Sequence, residues 1–300
     1  MKKKILILTS DPDSINYELI KKNLSFLQKK NNKNEYILVG SKKSVLKYLK
    51  KKIINLNFID VKFSKNTKQY LKKCFEKAFE ILKKKQADGI INLPLNKKNL
   101  PKKFPGFTEY ISDYFENKNN ETMLLYSDYF SVCPNTTHIP LKQVHSKLTK
   151  KKIKNNILNI NEFYKKIIGL KKINIVLLGV NPHNGIDFTS FKKTEEKQLL
   201  QPTIKSLKKK INVFGPLPAD TAFNLIKTKK INCIVGNYHD QVLPIFKFIN
   251  KFDGINITLG LPFLRVSPDH GTAKNLKKNK INGKSFLYAL KFFEKFSHKI

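Results

Sequence analysis

Ile173-Asn174-Ile175-Val176-Leu177-Leu178-Gly179-Val180-Asn181-Pro182-His183-Asn184-Gly185 is the passage on which the fold turns. A short, nearly continuous apolar run is what a strand buried on both faces of a parallel sheet looks like, and this is the clearest such run in the chain. It ends in a Pro- and Gly-bearing turn carrying a histidine, at the point where open α/β sheets place ligands. Working outward, Ile231-Asn232-Cys233-Ile234-Val235-Gly236 repeats the pattern and delivers His239, and the residues between are a Lys-rich helix, 194–210, and a Pro-rich segment, 213–221, read as a rigid loop.

Further upstream the same alternation recurs. Strands are expected at 5–9, 36–40, 53–63 and 87–94, with helices across 15–29, 43–51 and 69–85; the last carries Leu71, Cys74, Phe75, Ala78, Phe79 and Leu82 at helical spacing. Strands at 121–126 and 129–133, helices at 141–148 and 155–168, and a final helix over 283–296 complete the pattern. The whole predicts an α/β fold with a doubly wound sheet. Residues 101–108, with two prolines and a glycine, mark a crossing between domains.

Composition narrows the function. The formal net charge is +37, the kind of value that points to nucleic acid or anionic membranes. The lysines are dispersed in short runs from Lys2 to Lys299, mostly beside Asn and Ile, as an AT-biased coding sequence would place them on a solvated surface. No nucleic-acid or membrane partner is expected on that reading, and no run reaches the ~18 apolar residues of a membrane span. Cys74, Cys133 and Cys233 are too far apart for a metal knuckle and odd in number, which suits a reducing compartment and a cytoplasmic location.

Chemistry is concentrated between Gly236 and Ala273. Among 59 basic residues Arg265 is the only arginine, leaving 58 lysines, so a planar bidentate cation has been kept at one place. His138, His183 and His239 each follow a predicted strand or sit in a Pro-bearing loop. Imidazole is the usual nitrogen ligand of divalent ions, but none of the three has the spacing that fixes two ligands on one helix, and singly each also fits a hydrogen-bonded loop histidine.

Several motifs in order go further. Asn96-Lys97, Thr137-His138-Ile139-Pro140-Leu141, Asn181-Pro182-His183, Gly215-Pro216-Leu217-Pro218-Ala219-Asp220-Thr221, Tyr238-His239-Asp240-Gln241 and Asp269-His270-Gly271-Thr272-Ala273 resemble the 4-hydroxythreonine-4-phosphate dehydrogenase (PdxA) family over nearly the whole chain. The resemblance implies two α/β/α subdomains around a cleft, like isocitrate and isopropylmalate dehydrogenases, with residues 1–104 plus 272–300 in the first and 105–271 in the second. It implies a homodimer with the site at the interface, His239 coming from the partner subunit. It places a divalent metal (Zn, Mg or Co) on His138, His183 and His239, substrate on Thr108, Lys247, Asn256 and Arg265, and NAD or NADP near Asp269, His270, Gly271 and Ala273.

The implied reaction is oxidation of 4-phosphooxy-L-threonine to 2-amino-3-oxo-4-phosphooxybutanoate, which decarboxylates to 3-amino-2-oxopropyl phosphate on the route to pyridoxal 5'-phosphate. A paralogue acting on a related phosphorylated sugar acid and a catalytically impaired relative are the alternatives. The sequence departs from the family at Phe107, where a substrate-contacting histidine is expected, at Asn184-Gly185-Ile186-Asp187-Phe188, and in the first loop, where Ser10, Ser14 and Asn16 replace glycines.

Overall fold

A computed structural model describes residues 2–104, 106–117, 120–269, 271–273, 276 and 280–300. Eleven strands occur among them: β1 (Lys3–Leu8), β2 (Asn34–Gly40), β3 (Asn57–Asp60), β4 (Gly89–Asn92), β5 (Thr122–Tyr126), β6 (Ser131–Pro134), β7 (Ile175–Leu178), β8 (Val213–Leu217), β9 (Cys233–Gly236), β10 (Ile255–Leu259) and β11 (Leu264–Pro268). The chain divides into two compact units, Met1–Glu116 with Phe252–Ile257 and Leu261–Ile300, and Asn117–Lys251 with Thr258–Gly260.

In the first unit the strand order is β3-β2-β1-β4-β11-β10. The pairings β2/β3, β1/β2, β1/β4 and β4/β11 are all parallel. Residues 5 to 8 of β1 are fully buried, as its unbroken apolar run requires. The helix Thr67–Lys83 covers one face with Tyr70, Leu71, Cys74, Phe75, Ala78, Phe79 and Leu82, and its first turn is capped by Asn66, whose side chain accepts from the Gln69 amide at 3.1 Å. Phe107 and Ile111, on the helix Phe107–Tyr114, join this same core. Their packing there, and the pairing of β11 with β4, put 106–116 and 261–269 with the first unit, to which 252–257 also belong, where the sequence reading assigned all three to the second.

The second unit orders its strands β5-β6-β9-β7-β8. β6, β9, β7 and β8 run parallel to their neighbours, and β5 pairs with β6 antiparallel. Its core is built on Phe130, Val132, Val176, Leu178, Ile234, Val242 and Phe246.

Two segments differ from expectation, and one that carried none is a helix. Residues 213–217, read as a loop because of Gly215 and Pro216, form β8. It is last in the order, so the missing proline N–H costs no ladder bond on its open side. The stretch from His239 is a helix, His239–Asn250, with Pro244 inside it. The expected helix over 15–29 is two pieces, Asn16–Lys22 and Leu24–Leu27, parted at Asn23. No described helix is long and apolar enough to cross a membrane.

Candidate active site

Three adjacent parallel strands of the second unit, β6, β9 and β7, end on one side, and each opens into a histidine-bearing loop. His138 follows β6, His239 follows β9 and His183 follows β7. Parallel register is what turns three distant sequence positions into neighbours: a shared direction puts all the C-terminal ends together. The rings of His138 and His239 lie 5.6 Å apart, centre to centre, within one chain, so His239 stands beside His138 of its own subunit, where the resemblance had implied that the partner subunit supplies it. Two imidazoles bound to one ion at ~2.1 Å keep comparable spacing. His183 sits at the far side of β9's loop, its Nδ1 2.9 Å from Asp187 Oδ2. Among the described residues no group of three His, Cys, Asp or Glu side chains is close enough to hold a metal ion within one chain.

What holds these loops at fixed spacing is a set of buried amides the sequence reading passed over. Asn237 is fully buried, and its side-chain Nδ2 donates to the Leu178 carbonyl at 2.9 Å while its Oδ1 accepts from Asn135 Nδ2 at 3.3 Å. Its own carbonyl accepts from the Thr136 hydroxyl at 2.7 Å, and its amide donates to Gln241 Oε1 at 2.7 Å. Gln241 Nε2 donates in turn to the Gly179 carbonyl at 2.7 Å. All three histidine loops are thereby tied together through two side chains. The signal was present in Gly236-Asn237-Tyr238-His239-Asp240-Gln241, but nothing in one dimension says that Asn237 faces inward.

His183, Asp220, Asn181, Tyr238 and Gln241 line a cavity of about 290 Å³. The hydrogen bond to Asp187, its charge, and the charge of Asp220 raise the His183 imidazole above its ordinary pKa. Asp220, which the sequence marks only as part of the motif 215–221, therefore contributes negative charge to the cavity. His183 and Asn184 both take left-handed backbone, with φ of 48° and 60°, and Gly185 follows with 65°. Asn184 Nδ2 anchors this turn on the Pro216 carbonyl at 2.9 Å.

The first unit holds three of the expected substrate residues, Thr108, Asn256 and Arg265. Arg265 is 3% exposed. Its Nε donates to Asn92 Oδ1 at 2.6 Å and its Nη1 to Thr108 Oγ1 at 3.3 Å, and the guanidinium lies 5.5 Å from the Phe107 ring centre. Burial pulls its pKa down to about 10, opposed by the charge of Glu109. A guanidinium stays protonated at neutral pH in such a place. Phe107 thus has a use of its own here, as an aromatic floor beneath the cation and part of the core formed with Phe75 and Phe79.

Asn256 keeps a buried Oδ1 with no hydrogen-bond partner among the described residues, the condition of an acceptor awaiting a donor. Lys247 is exposed on the helix His239–Asn250 of the second unit. Of the expected cofactor residues, Asp269 donates its amide to Ser285 Oγ at 2.8 Å and Gly271 is exposed. Ala273 lines a cavity of about 470 Å³ with Pro12, Ser14, Tyr17, Leu276 and Ile281. His270 lies outside the described residues. Asp11 links the loop after β1 to the loop after β4, accepting from the amides of Asn96 at 2.6 Å and Asp13 at 2.8 Å.

The architecture as a whole is that of the isocitrate dehydrogenase-like α/β proteins: an isocitrate dehydrogenase from Methylococcus capsulatus superposes with a TM-score of 0.54 at 9% identity, over 98% of this chain and 85% of the other, a likeness of fold alone. Within that class the chain belongs to the PdxA family, whose model, described as "Pyridoxal phosphate biosynthetic protein PdxA", matches residues 3–293. A 4-hydroxythreonine-4-phosphate dehydrogenase of Sulfurihydrogenibium sp. is 36% identical over 301 residues, covering 91% of each chain. The crystal structure of the Klebsiella pneumoniae enzyme of that name has a TM-score of 0.83 at 26% identity, over 99% of this chain and 98% of the other. A D-threonate 4-phosphate dehydrogenase of Pectobacterium atrosepticum is 33% identical over 205 residues, 67% of this chain and 62% of that protein.

Proposed function

We propose that the chain is a divalent-metal-dependent, NAD(P)-dependent dehydrogenase that oxidises 4-phosphooxy-L-threonine to 2-amino-3-oxo-4-phosphooxybutanoate, which then loses CO₂ to give 3-amino-2-oxopropyl phosphate. The observation that carries it is the delivery of His138, His183 and His239 by three neighbouring parallel strands, with two of the rings 5.6 Å apart. Three neutral imidazoles are a donor set suited to Zn, Co or a similar ion. Such an ion, when bound, supplies Lewis-acid polarisation of the substrate hydroxyl. The set is completed in a homodimer, in the cytoplasm, with a second copy of the chain contributing to each site.

The chain's own residues divide the remaining work. Arg265, held by Asn92, Thr108 and the Phe107 ring, supplies a planar cation for the phosphate or carboxylate, and Lys247 contributes a further positive charge. Asn256 Oδ1 accepts from a substrate N–H or O–H. The cavity at Ala273 takes part of the dinucleotide, with Asp269, His270 and Gly271 beside it in sequence.

The test is reduction of NAD or NADP by purified protein with 4-phosphooxy-L-threonine. Turnover should vanish with a chelator and in His239→Ala, and return to the wild type with added Zn, Co or Mg. Turnover that survives complete metal removal would overturn the metal assignment. Phe107 favours a second reading, a substrate with a hydroxyl in place of the amine, because a phenyl ring offers no hydrogen bond where the family has a histidine. A larger kcat/KM for D-threonate 4-phosphate than for 4-phosphooxy-L-threonine would select it.

A further inference from the structure

Glu196 is a buried acid that the reaction as described does not use. It is fully buried at the start of the π-helical stretch Glu196–Leu200. Its Oε1 accepts from the backbone amides of Val180 at 2.7 Å and Asn181 at 2.8 Å, and its Oε2 accepts from Asn181 Nδ2 at 2.9 Å. The turn packs closely over it: a Cβ on Gly179, which would meet Asn184 Oδ1 first, would stand 3.3 Å from Oε1, and one on Gly185, 3.1 Å from Thr194 Cγ2, would stand 3.4 Å from Oε2. The carboxylate is thus a wedge beneath residues 179–185, the turn whose apex is His183. Among the described residues no Lys, Arg or His nitrogen lies within ion-pair distance of it.

That last fact separates two roles. A strut for a turn needs only acceptors, and a neutral amide at this position keeps the oxygen that serves the two backbone amides. An unpaired carboxylate taken out of water costs several kcal/mol, offset in part by its N–H donors, so a neutral strut would stabilise the fold better. We propose that Glu196 is a positioning residue for His183, holding the left-handed turn that presents the imidazole and placing a negative charge beneath a site that receives a cation. The inference rests on the metal reading above. Outer partners of metal ligands act in this way, by orienting the ligand and raising its affinity for the ion.

The experiment measures Co²⁺ binding, by calorimetry and by the visible absorption of the bound ion, in wild type, Glu196→Gln and Glu294→Gln. Glu294 is the control: in the first unit it accepts from the amides of Lys33 at 2.7 Å and Asn34 at 3.2 Å, the same chemistry away from the histidines. Glu196→Gln should bind Co²⁺ ~10- to 100-fold more weakly with an altered absorption spectrum, and Glu294→Gln should bind as wild type does. Equal binding by Glu196→Gln and wild type overturns the inference and leaves the metal reading standing. Equal weakening in both variants reduces Glu196 to a general stabiliser and overturns it too. Absence of Co²⁺ binding by the wild type overturns the metal reading and the inference together. Should Glu196→Gln not fold, Asn181→Ala removes the Nδ2 bonds to Glu196 and Glu195 while Glu195→Gln leaves Glu196 untouched; several-fold weaker Co²⁺ binding in Asn181→Ala but not in Glu195→Gln supports the inference, and any other result overturns it.

Discussion

Arg265 shows what a single residue reveals in sequence and what it does not. Its rarity marks it, and guanidinium geometry argues for an oxyanion. Which groups surround it is not legible in the sequence, and only the fold shows Asn92, Thr108 and the Phe107 ring there. Arg265→Lys keeps the charge but loses the fork. It should lower kcat/KM ~10- to 100-fold, with a stability loss of only ~1 kcal/mol from the weakened bond to Asn92. Steady-state kinetics beside a denaturant titration decide it: a large stability loss with normal turnover of the folded fraction would make the residue structural.

The cysteines are a second case at this scale. Burial raises the thiol of Cys74 to about 11 and that of Cys233 to about 12, and pushes Cys133 well above its ordinary value. A thiol that is harder to ionise when folded contributes stability that is complete below the unfolded pKa and is lost as pH rises toward the folded one. Stability should therefore decline from about pH 8.5 upward. In the native protein at pH 8 none of the three should react with iodoacetamide, and all three should react in guanidinium; fast labelling of the native protein would show that the thiols are not enclosed.

At the scale of elements, periodicity was readable wherever one face is apolar and the other charged, as in the helix Thr67–Lys83 and the final helix, Lys284–Phe296. It failed where turn residues sit inside an element. Gly215 and Pro216 signal a loop locally, yet β8 forms because β7 supplies a partner. Gly215 has φ +116°, and a Cβ there would stand 2.3 Å from the Leu177 carbonyl oxygen. Gly215→Ala should therefore destabilise the protein by well over ~1 kcal/mol, seen as a fall in the urea midpoint. Asn66→Ala, which removes the cap of the helix Thr67–Lys83, should cost ~0.5–2 kcal/mol by the same measurement. An unchanged midpoint in either variant would show that the contact has no energetic weight.

For the whole molecule, the charge of +37 is the property most visible in the sequence and least tied to the site. Mutual repulsion of so many ammonium groups works against the compact state and is screened by salt. The melting temperature should rise as ionic strength goes from ~0.01 to ~0.15 M, where the screening length shrinks from ~30 to ~8 Å. If the charge is incidental to function, binding to duplex DNA at the higher salt should be weak; tight binding with a steep logarithmic salt slope would overturn that view.

The sequence by itself determined the class of fold, because unbroken apolar runs such as 175–178 alternating with amphipathic helices have no better burial than a parallel sheet between helices. It also singled out the three histidines and Arg265, through motif order and through the rarity of arginine. Only the tertiary structure decided which groups meet. Asn237, Gln241 and Glu196 are polar residues whose inward orientation depends on donors and acceptors contributed from 15 to 102 positions away, and His138 and His239 become neighbours because β6 and β9 share a direction. Pairing of that kind is a property of register and burial, and neither is written in the order of residues along one strand.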